Sequence, residues 1–332
     1  MREPDARDAA MTGALPSSAS PPSAPPRALG EPVARASAVR IWVMAARLRT
    51  LPAAIAPVLV GTSLALGDGH FEALAFLAAL LGAMFIQVGT NLSNDYSDAR
   101  RGADSDDRLG PVRVTAGGLV PPRQVLVATY ASFGLAVACG AYLVAVAGPE
   151  LLAVGAASIL AGVLYTGGPR PYGYEGLGEL FVFLFFGVVA VVGSYFVQVQ
   201  ALPWQAFGCA VPVGLLASAI LVVNNVRDID TDRRAGKRTL AVRLGRARTR
   251  NLYAAMLAGA FASAAALWGL GMTPWLMLCW ATTPLALALT RVVRTRSDGP
   301  ALNTALAKTG LLQLLFCLLL CAGILAGGGI PS

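Results

Sequence analysis

Residues 91–107 read NLSNDYSDARRGADSDD, five carboxylates, two asparagines and two arginines set directly after an apolar run. In a chain that is 56% hydrophobic and only 13% charged, a cluster of this kind stands out. Ionisable groups held at the edge of a bilayer are costly, and they mark a functional site by default. Residues 224–237, NNVRDIDTDRRAGK, form a second cluster at the end of another apolar run. Together the two hold eight of the eighteen acidic residues.

The apolar runs that carry these clusters decide the fold class. A mean hydropathy of +0.63 over 332 residues is more apolar surface than a soluble domain could bury, so the chain reads as a membrane protein. Nine apolar segments follow one another: 43–66, 71–88, 125–146, 151–165, 177–199, 207–223, 252–270, 275–293 and 311–325. Each approaches the roughly 20 residues a helix needs to cross a bilayer. The expectation is an all-α polytopic bundle of nine transmembrane helices over residues 40–332. Residues 1–39 are rich in Pro, Ala and Ser with no apolar run, and read as a disordered tail. All five cysteines lie inside apolar segments, which argues for small buried side chains rather than a disulfide framework or a zinc site.

Charge then sets the topology. Nine crossings with a cytoplasmic N-terminus put all 26 Lys and Arg on one side: seven before or within the start of the first segment, five between the second and third, Arg170 after the fourth, nine between the sixth and seventh, and four between the eighth and ninth. This asymmetry follows the positive-inside rule and supports both the helix count and a plasma-membrane orientation with the charged loops inside. The net charge of +8 therefore faces anionic lipid and phosphate, and no nucleic-acid partner is expected. Segments two and six run in the same direction and end alike, which suggests two parallel halves around a central cavity.

If the second helix continues through its motif, Asn91, Asn94 or Asp95, and Asp98 share a face, because residues three and four apart are helical neighbours. Asn224, Asp228 and Asp232 follow the same rule. Hard oxygen ligands at these spacings suit Mg²⁺ that is shared with phosphate oxygens of a substrate. Basic residues beside them, Arg100, Arg101, Arg108, Arg113, Lys237 and Arg238, suit the remaining phosphate charge. Asp104, Asp106, Asp107 and Asp230 lie near the clusters without a defined role. Arg170 sits in a Gly-Pro loop close to Glu175 and Glu179, either pairing with them or helping to close the site or to bind a substrate carboxylate. His70, the single histidine, falls on the opposite face.

At these residues the chain resembles the UbiA superfamily of intramembrane prenyltransferases. Asn94, Asp95 and Asp98 match its NDxxDxxxD signature, with Gly102 in the last position and Asp104 two residues on; Asp228 and Asp232 match its DxxxD signature. The stretches RLRTLPAAIAPVLVGT from Arg47, NDYSDARRGADSDDRLGPVR from Asn94 and YTGGPRPYGYEGLGELFVFLFFG from Tyr165 are most similar to the members that prenylate 1,4-dihydroxy-2-naphthoate. The resemblance implies an Mg²⁺-dependent enzyme. It would ionise a polyprenyl diphosphate and join the prenyl group to the naphthoate with decarboxylation, in menaquinone synthesis. Metal would be held by Asn94, Asp95, Asp98, Asn224, Asp228 and Asp232, and diphosphate by Arg101, Arg113, Lys237 and Arg238. Tyr165 would stabilise the allylic cation through its π face.

Two other readings stand beside this one. Another aromatic acceptor, such as 4-hydroxybenzoate, would keep the fold and the chemistry. A secondary transporter would instead place ionisable residues near the bilayer midplane, whereas here they sit at one end of the helices.

Overall fold

The computed structural model describes residues 37–103 and 109–328; residues 1–36 of the expected tail and Asp104, Asp106, Asp107 and Arg108 lie outside that range, while Ala38 and Val39, expected in the tail, already belong to the first helix. Among the described residues the regular structure is entirely helical. Nine apolar helices follow in order: α1 (Ala38–Gly67), α2 (Ala73–Arg100), α3 (Pro122–Ala147), α4 (Glu150–Leu164), α5 (Gly178–Val199), α6 (Trp204–Arg234), α7 (Arg246–Gly269), α8 (Pro274–Thr295) and α9 (Gly299–Ala326). Eight are long and apolar enough to cross a membrane, and α4, with 15 residues, is the shorter ninth. The chain is a multi-pass membrane protein.

Local chemistry explains the helix starts. Proline, whose missing N–H costs nothing at a helix start, stands in the first turn of α3, α8 and α9. Asp298 caps α9 by accepting from Ala301 N at 3.0 Å. This cap starts α9 twelve residues before the apolar run at 311, because Leu302, Ala305 and Thr309 also face the core. Likewise α2 and α6 do not stop where their apolar runs stop. They continue as helix through both charged motifs, to Arg100 and Arg234.

Packing centres on α6, which is the most buried helix and touches α5, α7, α9 and α1. On the other side α2 packs on α3, and both contact α4. Backbone approaches are close where side chains are absent. A Cβ on Gly61 of α1 would stand 2.2 Å from the Val191 carbonyl of α5, and one on Gly187 of α5 would stand 2.7 Å from Gly214 Cα of α6. Small residues allow such approaches in membrane bundles, where apolar side chains gain little by leaving lipid.

Three helices depart from regularity, the first nine residues of α8, Pro274–Thr282, being 3₁₀. In α1 the α-helix ends at Ala46, Arg47 adopts the left-handed conformation at φ 53°, and a 3₁₀ turn over Leu48–Thr50 restarts the chain before Pro52. In α5 residues 183–189 form a wider π turn, a feature that often marks functional sites.

Gly61→Val should break the α1–α5 contact, since overpacking costs about 1–3 kcal/mol and here the obstacle is backbone. The expected result is a lower unfolding temperature and loss of monodispersity in detergent.

Candidate active site

A cavity of about 600 Å³ opens among helices α1 to α6. The C-terminal turns of α2 and α6 bring Asn91, Asn94, Asp98, Asn224, Asp228 and Asp232 to its charged end. Its other walls are apolar, built from α2 through α5 with small residues such as Gly82, Gly140, Gly155 and Gly193. One cavity thus joins an acidic, amide-rich end to a long apolar groove.

Asp98 is the most enclosed of these carboxylates, 1% exposed. Arg113 Nη2 donates to its Oδ2 at 3.1 Å, the Tyr174 hydroxyl donates to its Oδ1 at 2.5 Å, and Lys237 Nζ lies 3.7 Å from Oδ1. Each partner comes from a different segment. Arg113 follows the first motif, and Tyr174 belongs to the loop between α4 and α5. Lys237 reaches back because Gly236, at φ 74°, reverses the chain after α6 and lets Lys237 N bond to Asp232 O at 2.9 Å. Its ammonium also stands 4.7 Å over the Tyr174 ring. A buried carboxylate with paired cations and a phenol is a compensated charge, where an unpaired one would be prohibitive.

At the second motif Arg227 forks onto Asp228, with Nε 2.7 Å from Oδ1 and Nη2 on Oδ2. The same Nη2 reaches Asn224 Oδ1 at 2.8 Å. Asn94 accepts from the Thr166 hydroxyl at 2.9 Å, and Asn91 donates to Ala46 O and to Thr50 Oγ1, both at 3.1 Å. Gln87 also donates to Thr50, at 2.9 Å. The break in α1 therefore delivers Thr50 and Arg47 to the cavity wall. Neither was singled out from sequence. The signal was the RLRTLP string itself, in which two arginines and a proline interrupt an apolar run.

The loop between α4 and α5 supplies an aromatic wall. Tyr165 lines the cavity and meets Tyr172 edge to face at 5.5 Å, and Tyr172 stacks on Phe181 at 4.0 Å. Burial pushes the Tyr172 phenol above its ordinary pKa, so it stays neutral and donates to Ala161 O at 2.9 Å. The π turn of α5 adds Phe185 and Phe186 to the same wall.

Three expectations change. Asp95 does not line the cavity: its oxygens accept from Val114 N at 3.1 Å and Thr115 N at 2.9 Å, so it pins the turn that carries Arg113 instead of facing a metal. A helix turns 100° per residue, so Asn94 and Asp98 share the inner face and Asp95 is displaced from it. Arg101 is exposed outside the cavity and donates to Gly168 O, tying the α4–α5 loop to α2. Arg238 is also exposed, with its backbone N–H on Tyr174 O at 2.8 Å. Of the four basic residues expected to meet diphosphate, Arg113 and Lys237 line the cavity. Arg170 is exposed, while Glu175 pairs with Arg243 at 3.0 Å and Glu179 accepts from Asn225 at 2.8 Å. Asp230 points outward to Arg246 at 2.8 Å.

Among the described residues no three acidic, histidine or cysteine side chains converge closely enough to cage an ion. The donors present are nonetheless all hard oxygen, on two motifs facing one cavity. That suits Mg²⁺, which binds through one or two carboxylates plus substrate phosphate rather than in an all-protein cage.

The UbiA prenyltransferase family model matches residues 54–312. The chain is 46% identical over 287 residues to a 1,4-dihydroxy-2-naphthoate octaprenyltransferase of Mycobacterium tuberculosis, covering 86% of this chain and 97% of that one. With the Escherichia coli protein of the same name, identity is 39% over 302 residues, covering 87% and 96%. Among solved structures, a UbiA homologue from Aeropyrum pernix superposes with a TM-score of 0.62 at 17% identity, over 84% of this chain and 98% of that one. One from Archaeoglobus fulgidus, bound to DMAPP and Mg²⁺, gives 0.57 at 18% identity, over 83% and 98%.

Asp95→Ala should lower stability even without metal or substrate, by about 1–3 kcal/mol, because two buried backbone amides lose their acceptor. Thermal unfolding of the ligand-free protein checks it, with Asp230→Ala, at an exposed pair, expected to change little.

Proposed function

We propose that this chain, which belongs to the UbiA prenyltransferase family, transfers a polyprenyl group from polyprenyl diphosphate to 1,4-dihydroxy-2-naphthoate. The acceptor loses its carboxylate and the quinol form of demethylmenaquinone results, a step of menaquinone biosynthesis. The reading rests on the relatives of that name, which the chain matches at 33–46% identity over nearly their whole length in four cases. The observation that carries it is the single cavity joining Asp98, Asp228 and Asp232 to an apolar groove.

Bound Mg²⁺ would supply Lewis-acid neutralisation of the diphosphate as it leaves. Asp98, Asp228, Asp232, Asn94 and Asn224 are the oxygen donors suited to hold it. Arg113 and Lys237, already drawn to Asp98, take up the charge that develops on the diphosphate oxygens when the prenyl C–O bond breaks. The bond pair leaves with the diphosphate. Tyr165, Tyr172 and Phe181 present π density to the allylic cation, and the apolar walls keep water from quenching it. The ring carbon bearing the carboxylate then attacks, and loss of CO₂ returns its bond pair to the ring. Arg47 adds a basic group that neither motif supplies, suited to the acceptor carboxylate. The groove lined by Gly82, Gly140, Gly155 and Gly193 leaves room for the isoprenoid chain. The clustering of Lys and Arg supports a plasma-membrane orientation with the motif end and the N-terminus on the cytoplasmic side.

Purified protein given a polyprenyl diphosphate, Mg²⁺ and either 1,4-dihydroxy-2-naphthoate or 4-hydroxybenzoate tests the reading. Prenylated product and CO₂ are expected from the naphthoate alone, and EDTA should abolish both. Asp98→Ala and Asp228→Ala should each lower turnover by more than about 100-fold. Product from the benzoate alone would move the acceptor assignment, and full activity in EDTA would remove the metal.

A further inference from the structure

Arg227 and Asn303 belong to neither acidic signature and do not line the cavity, yet both are bonded to what does. Arg227 is 2% exposed, an expensive place for a guanidinium. Its Nε and Nη2 bind both oxygens of Asp228, Nη2 also reaches Asn224, and Nη1 donates to Asn303 Oδ1 at 2.6 Å. Asn303, on α9, in turn donates from Nδ2 to Leu109 O at 2.9 Å.

The pairing of Arg227 with its own neighbour is unusual. Adjacent side chains on a helix diverge by about 100°, so they do not face each other. The guanidinium must fold back along α6 to meet Asp228, and a group on another helix has to hold it there. Asn303 is that group. Its amide spans two elements, the second motif through Arg227 and the return of the chain after the first motif through Leu109. Gly299, one turn earlier on α9, lets Leu109 pack close: a Cβ there would stand 3.2 Å from Leu109 Cβ.

We propose that Arg227 and Asn303 are positioning residues for Asp228. They set the plane of its carboxylate toward the cavity, so that α9, which contributes no metal donor, determines how the second motif meets metal and diphosphate. The proposal rests on the metal–diphosphate reading above. The partners of a metal-binding carboxylate commonly change metal affinity by about 10- to 100-fold when removed.

Mn²⁺, a paramagnetic substitute for Mg²⁺, titrated into the purified protein with inorganic pyrophosphate and no acceptor, reads the site without turnover. Asn303→Leu, similar in size and without either hydrogen bond, should weaken Mn²⁺ binding by about tenfold or more. Arg227→Lys, which keeps the charge and loses the fork, should do the same. Asn303→Asp keeps an acceptor for Arg227 Nη1 and loses the donor to Leu109, so it should bind Mn²⁺ close to wild type. Wild-type affinity in Asn303→Leu and Arg227→Lys, with or without a lower unfolding temperature, would make the two residues merely structural and overturn the proposal. Should Asn303→Leu fail to fold, the contrast between Arg227→Lys and Asn303→Asp decides. No Mn²⁺ binding by the wild type would overturn the metal reading itself, and this proposal with it.

Discussion

Everything at the charged end of this bundle depends on partnering Asp98, which is almost fully enclosed. In so apolar a setting a carboxylate without partners is costly. Arg113, Lys237 and Tyr174 supply those partners, and their requirement to converge on one carboxylate shapes the surrounding chain. Asp95 pins the turn bearing Arg113, Gly236 reverses the chain to bring back Lys237, and Arg238 N holds the carbonyl of Tyr174. The site is a set of matched charges, and its loops are ordered by the same bonds.

The irregular backbone belongs to the same design. The left-handed turn at Arg47 breaks α1, and just after it Thr50 meets Gln87 and Asn91, with Arg47 and Thr50 both on the cavity wall. The π turn in α5 points Phe185 and Phe186 into the cavity. Within it Gly187 meets Gly214 and lets the α5 and α6 backbones touch. Irregular membrane helices persist where protein rather than lipid surrounds them, and the breaks in α1 and α5 both border the cavity.

Much of this was legible in the chain. Nine apolar runs, a one-sided distribution of Lys and Arg, and two asparagine-aspartate clusters at helix ends carried the membrane fold and the placement of Asn94, Asp98, Asn224, Asp228 and Asp232. The spacing rule of three and four residues worked because α2 and α6 stay helical through their motifs. It failed to separate Asp95 from Asp98, since both are acids in one signature and only the facing turn at Val114 tells which way each points. Arg101 and Arg238 looked equivalent to Arg113 and Lys237 for the same reason: proximity in sequence to an acid says nothing about the side of the rim a long side chain takes.

What the sequence determined by itself was the class of the molecule and the kind of chemistry at its edge, because hydrophobic length and the siting of charge are one-dimensional quantities that a bilayer reads directly. Which cation meets which carboxylate was decided only by the tertiary structure. Arg227 reaches Asn303 across 76 residues, and Thr166 meets Asn94 across 72. Such pairs form because helices distant in the chain are packed side by side, and the cost of leaving any of these polar groups unmatched in an apolar interior selects one arrangement among those that the pattern of residues allows.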